Sequence, residues 1–246
     1  MRNIGHRRGV TLIELLVAMA LLSLLAVGVL FGMRIGLGAM ERTNNRLQTN
    51  RKVLGVERVL TQQIAGLVPV RADCFANPQG PPTRGPFFQG EGQTMRFVST
   101  FSLNEASRGY ARILEYQVIP GQNAEGVRLV VNELLFTGPR SAGALCIGAV
   151  GTPTGLQLLY RPVQVGEHSF VLADKLASCR FLYKENREPP RPDMWLPRWA
   201  SARLPNAIRI DLAPLSTDPS LLEVPSVVAP VRVNRDPMMD YQDYVP

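Results

Sequence analysis

Histidine is nearly absent from this chain. It has two among 246 residues, His6 and His168. Ser-His-Asp and Cys-His catalysis would both need one of them. His168 lies in the turn-like stretch Gly166-Glu167-His168-Ser169, an ordinary setting for a surface histidine. Cysteine is scarce too: Cys74, Cys146 and Cys179 include no CxxC pair, which argues against a thiolate zinc site. No glycine-rich phosphate loop follows a strand-like run. The net charge of +7 and pI near 9.8 come from scattered arginines rather than a Lys/Arg run, so a nucleic-acid partner is not expected. Asp236, Asp240 and Asp243 cluster near the end, but their spacing fits no calcium loop. These shortages point away from an enzyme and imply neither cofactor nor metal.

Two further absences say what is there. No charge falls between Leu15 and Met33, a stretch of 19 residues, or about 28 Å of helix, close to the thickness of a bilayer core. No proline precedes Pro69. Beyond Arg34 the chain turns polar yet keeps a helical period through Leu47, Val53, Val56, Leu60, Ile64 and Leu67. The expectation is one helix from about Thr11 to Leu67, on the order of 85 Å long, ended at Val68-Pro69. Its first half would lie in membrane, and its second half would lay an apolar stripe on a head. Arg2, Arg7 and Arg8 precede the span with no acidic residue before Glu14, so the positive-inside rule puts the N-terminus in the cytoplasm. An ordinary signal peptide, with Ala18-Met19-Ala20 as its small-residue triplet, competes with this reading. The apolar run continues past that triplet, and Glu14 would interrupt its core. Gly28, Gly32 and Gly36 fall at four-residue steps, a spacing that allows close helix approach.

Glu14 is a charge at the edge of a span, which is costly without a partner. Arg7-Arg8-Gly9 followed by Val10-Thr11-Leu12-Ile13-Glu14 resembles the processing signal of type IV pilins and of the pseudopilins of type II secretion. The resemblance implies cleavage after Gly9 by a prepilin peptidase and methylation of the new amine of Val10. His6 would leave with the leader, and the charge would fall to +4. Val10 departs from the family's usual Phe at that place. Glu14 matches the family's glutamate at the fifth mature position, implying that its carboxylate neutralises the Val10 ammonium of its own or a neighbouring subunit. Opposite charges a few ångströms apart attract strongly where the dielectric is low.

From Pro69 onward the pattern changes. Residues 71–86 read as loop. Strand-like runs follow at 95–100, 112–119, 126–133, 156–160, 176–183 and 207–212, several alternating apolar with polar residues, as antiparallel strands with one wet face do. Pro120-Gly121-Gln122-Asn123 reads as a hairpin loop, and residues 224–233 as a further edge strand. The fold class is therefore α+β, a long helix packed on a mainly antiparallel β head. The expected boundaries are a leader 1–9, a span 10–33, an amphipathic continuation 34–68, a head 69–213 and a proline-rich tail 214–246. A bridge between Cys74 and Cys146 is favoured because both lie in loop-like surroundings; three buried thiols are the alternative. Trp195 and Trp199 lie in a Pro- and Arg-rich loop. They read either as a partner patch or as indoles packed over the sheet edge.

A second resemblance lies in the head. Gly92 to Ser99 is similar to the first head strand of the J-type family of minor pseudopilins. Leu172 to Tyr183, then Trp195-Leu196-Pro197, then Leu204 to Ile210, resemble that family's C-terminal half; Cys179 stands where the family has an aliphatic residue. The resemblance implies a minor subunit near the tip of a pseudopilus, anchored in the bacterial inner membrane with its head in the periplasm. Its partners would be I- and K-type minor pseudopilins and the major pseudopilin. Pilus-type minor pilins share the leader and are the main rival, followed by a single-span exported binding protein.

Overall fold

The computed structural model describes residues 11–75, 80–105, 107–152, 155–167, 169–185, 192–216 and 226–233. Gly9, Val10, His168, Asp236, Asp240 and Asp243 lie outside the described residues. The chain divides into two compact units, Met1–Arg51 and Lys52–Pro246.

Helix α1 spans Leu12–Ala65, as expected of a stretch without proline. It closes where Gly66 N–H donates to the Gln62 carbonyl at 2.9 Å and the chain passes into a strand. The strands are β1 Leu67–Val68, β2 Arg71–Cys74, β3 Thr83–Pro86, β4 Gln89–Gly90, β5 Thr94–Ser102, β6 Ser107–Pro120 and β7 Val127–Leu135. After a one-turn helix α2, Pro139–Gly143, come β8 Cys146–Thr152, β9 Gly155–Tyr160, β10 Phe170–Glu185, β11 Met194–Leu196, β12 Ala207–Pro214 and β13 Val227–Pro230. Among the described residues nine strands form one sheet in the order β1-β5-β6-β7-β10-β12-β13, with β4 beside β5 and β11 beside β10. All of its pairings are antiparallel. The architecture is the α+β, pilin-like arrangement of a long apolar helix followed by an antiparallel sheet.

Alternation along the strands sends two sets of side chains to opposite faces. One face carries Met95, Phe97, Leu114, Tyr116, Leu129, Val131, Phe181 and Ile208, packed with Leu60 and Ile64 from the last turns of α1. The other face, through Val98 and Ile113, meets a small outer layer: Ala72 and Cys74 of β2, Ala142 of α2, and Leu158 and Tyr160 of β9. The middle strands are thus covered on both sides, which is why β5 buries nearly every residue.

The outer layer corrects the expected loop at 71–86. Residues Arg71–Cys74 and Thr83–Pro86 pair as an antiparallel ribbon; Pro86 stands at its end, where a missing N–H costs least. In a second ribbon, β8–β9, only β9 carries a readable strand pattern, because Gly148 and Gly151 break that of β8. The buried residues of the helix stripe lie in its last turns, within the head unit. Leu47 is 51% exposed, whereas Leu60 and Ile64 are fully buried.

Candidate assembly interface

Thr11 stands just before α1 and caps it. Glu14 N–H donates to the Thr11 carbonyl at 3.1 Å and to its Oγ1 at 3.4 Å, and Leu15 N–H donates to the same carbonyl at 3.2 Å. Thr11-x-x-Glu14 is the spacing of a capping box, and a carboxylate in the first turn faces the positive end of the helix dipole. Glu14 therefore has a local reason to stand where it does, besides any partner from another subunit. The sequence carries that signal in the spacing of Thr11 and Glu14 alone.

From Leu12 to Met40 every large apolar side chain of α1 is more than half exposed. A helix of a water-soluble core buries such residues. Among the described residues this is one helix long and apolar enough to cross a membrane. Its Ser23 hydroxyl donates back to the Ala20 carbonyl at 2.8 Å, which spares it an unsatisfied donor in an apolar medium. Gly28, Gly32 and Gly36 face open space: a Cβ built on each meets nothing within 4 Å.

In the head unit, the end of α1 is keyed to the sheet by a polar cluster that periodicity does not reveal. Gln63 is fully buried. Its Nε2 donates to Glu133 at 3.2 Å, and its Oε1 accepts from the Tyr116 hydroxyl. Ser99 Oγ donates to the Gln63 carbonyl at 2.8 Å. Glu133 also accepts from Ser102 Oγ at 2.8 Å and from Leu103 N–H at 2.6 Å. Burial, and then the nearby Glu133 carboxylate, push the Tyr116 phenol well above its ordinary pKa, so it stays a neutral donor.

On the opposite face a polar row crosses four neighbouring strands: Gln89, Arg96, Glu115 and Asn132 stand in register on β4, β5, β6 and β7. Arg96 is 1% exposed; its Nε donates to Glu115 Oε1 at 2.7 Å, and its two terminal nitrogens donate to Gln89 Oε1 and the Arg161 carbonyl. The Arg96 guanidinium also lies 5.7 Å from the Tyr160 ring centroid. Asn132 Nδ2 donates to the Gln164 carbonyl at 2.9 Å. The row thus pins the segment leaving the β8–β9 ribbon onto the sheet.

Cys74 and Cys146 are joined by a disulfide with Cα atoms 5.5 Å apart, linking the end of β2 to the start of β8. Both positions lie at strand ends rather than in loops. Cys179 is free and buried on the helix-side face of β10, where burial, and then the Asp211 carboxylate, push its thiol pKa up to about 12.

The two tryptophans part company. Trp199 is buried at 6% exposure, with its N–H donating to the Gly90 carbonyl at 2.8 Å and its indole N–H to the Arg203 carbonyl at 2.6 Å. A Cβ on Gly90 would come within 2.8 Å of both Trp199 and Tyr183, so only glycine lets the indole seat there. Trp199 therefore has no surface to offer a partner, which corrects that half of the expected patch. Trp195 is half-buried beneath the Arg209 guanidinium, 5.1 Å from its ring centroid. Among the described residues no three of His, Cys, Asp and Glu gather as a metal site.

An exposed apolar helix with a capped acidic start leads into an antiparallel head, a pilin-like architecture consistent with a single-pass membrane anchor. Residues 4–30 match the prokaryotic N-terminal methylation motif, which supports a type IV pilin-like or pseudopilin protein. Neither the curated proteins nor the solved structures gave a match.

Proposed function

We propose that the chain is a minor pseudopilin of the J type: a structural, non-catalytic subunit near the tip of a type II secretion pseudopilus. The observation that carries this is the methylation motif over residues 4–30, which runs into an apolar helix whose large side chains from Leu12 to Met40 are more than half exposed. An apolar surface of that extent needs lipid before assembly and neighbouring helices after it. The choice of the J type rests on the order of segments: Gly92 to Ser99 falls mainly on β5, Leu172 to Tyr183 on β10, Trp195-Leu196 on β11 and Ala207 to Ile210 on β12.

In this reading the peptidase cuts after Gly9 and methylates Val10, and Glu14 meets a Val10 amine as subunits stack. The membrane is the bacterial inner membrane, with the head on the periplasmic side. Charge asymmetry does not fix that orientation. Arg34, Arg42, Arg46, Arg51 and Lys52 follow the span, against Arg2, Arg7 and Arg8 before it. The partners are the I- and K-type minor pseudopilins and the major pseudopilin, with no nucleic acid. Mass measurement of the mature chain is the first test: loss of residues 1–9 with one added methyl is expected. An intact N-terminus, or cleavage near Ala20, refutes the reading. Copurification with I- and K-type subunits is the second test, and copurification with pilus subunits instead would assign the chain to a pilus.

A further inference from the structure

Residues 136–169 form an excursion between two strands, β7 and β10, that are antiparallel neighbours in the sheet. Neighbours of that kind need only a short connection. The excursion instead builds α2 and the β8–β9 ribbon and packs them on β2–β3 to make the outer layer. Its cohesion without the bridge comes from named contacts. Leu158 sits against Gly85, where an added Cβ would lie 2.9 Å from Leu158 Cγ. Arg161 N–H donates to the Leu145 carbonyl at 3.0 Å, while the Arg161 and Gln164 carbonyls accept from Arg96 and Asn132.

The three sulfurs occupy unequal positions. Cys146 is half-buried, Cys74 is 1% exposed inside the layer, and Cys179 is 2% exposed in the other core, across the sheet. The Cys146 and Cys74 sulfurs lie 3.1 and 3.6 Å from one carbonyl oxygen, that of Gly148. Two reduced thiols would share that acceptor and stand beside each other before any bond forms.

We propose that the outer layer docks first without a covalent link and is then oxidised in a fixed order, with Cys146 as the entry thiol for a disulfide donor, Cys74 as the resolving thiol and Cys179 shut out of exchange. In the first step the Cys146 thiolate attacks one sulfur of the donor's disulfide. A mixed disulfide forms, and the donor's other sulfur leaves as a thiolate. In the second step the Cys74 thiolate attacks the Cys146 sulfur, forming the Cys74–Cys146 bond and releasing the donor's remaining sulfur. The two protein thiols are oxidised, the donor disulfide is reduced to two thiols, and the two protons pass from protein to donor. Exposure sets the order, since attack requires access as well as thiolate character. The high pKa of Cys179 acts in the same direction as its burial. The bridge closes a sequence separation of 72 residues, so once formed it lowers complete unfolding of the head by roughly thirtyfold to a thousandfold. The proposal does not depend on the pilin-type reading.

The test uses the full chain, reduced in detergent micelles and then exposed to oxidised glutathione. Cys74→Ser is expected to accumulate one glutathione adduct, on Cys146. Cys146→Ser should be modified on Cys74 at least tenfold more slowly, and neither variant should be modified on Cys179. Equal rates in the two variants, or a faster Cys74, overturn the order. Pulse alkylation of the reduced wild-type chain reads the same ranking without a substitution. Cys146 first, Cys74 later and Cys179 last supports the proposal. Modification of Cys179 alongside the others refutes it, because the layer would then not be docked on a folded head before oxidation.

Discussion

Replacing Arg96 by methionine tests the account of the head directly. The substitution keeps most of the side-chain volume and removes the charge. It strands the Glu115 carboxylate, whose side chain is 7% exposed, with Asn132 Nδ2 at 3.3 Å as its remaining hydrogen-bond donor among those described. It also removes the donors to Gln89 and to the Arg161 carbonyl. Breaking a buried pair by removing one partner costs about 3–5 kcal/mol, because an uncompensated charge remains. The two tryptophans, Trp195 and Trp199, both lie in the head, so intrinsic fluorescence reports head unfolding even while α1 sits in a micelle. With a urea slope of about 2 kcal/mol per molar, Arg96→Met should lower the midpoint by about 2 M. Adding Glu115→Leu should recover the part of the loss due to the stranded carboxylate, leaving about 1–3 kcal/mol for the Gln89 and Arg161 acceptors that no longer have Arg96. A cost below about 1 kcal/mol for the single change, or a double variant as unstable as the two single effects combined, would refute the reasoning.

Gly143→Ala places a Cβ 1.8 Å from the Asp73 carbonyl oxygen; it should cost about 1–3 kcal/mol and raise hydrogen exchange in β2 and β8 before β6 or β12. Thr11→Ala should weaken the start of α1 by about 1 kcal/mol, seen as faster exchange confined to its first turn. Glu14→Ala should leave the protein in the membrane fraction but absent from sheared filaments; incorporation at wild-type level would end the pairing role. The Cys179 thiol, raised from 9.0 to about 12, keeps its proton in the folded head after the unfolded chain has lost it. Stability from this group is therefore complete below about pH 9 and falls as the pH rises toward 12. Tyr116 and Tyr183, also raised by burial, add loss of the same sign above about pH 10. Cys179→Ala should flatten the first part of that decline in pH-dependent urea melts.

The anchor helix was legible in the sequence because helical period, absence of proline and absence of charge are local properties, and Leu12–Ala65 satisfies them without help from the rest of the chain. The strands of the main sheet were legible for the same reason, each carrying its own alternation. What lies above a strand is not a local property. Arg96 and Glu115 alternate with apolar neighbours on β5 and β6, and so read as the wet face of a sheet. They are buried because residues 136–169 fold back over them, and strand period says nothing of what covers a face. Gln63 reads as a polar break in the helix stripe until Tyr116 and Glu133 meet it from strands far along the chain. The burial of Trp199 depends on Gly90 beneath it, and the strand-end setting of Cys74 and Cys146 on two ribbons far apart in the chain. The sequence by itself determined an apolar, acid-headed helix and a set of antiparallel strands, through short-range sterics and hydropathy. The tertiary structure alone decided which polar groups are buried and which aromatic ring is covered, because each depends on contacts between segments tens of residues apart.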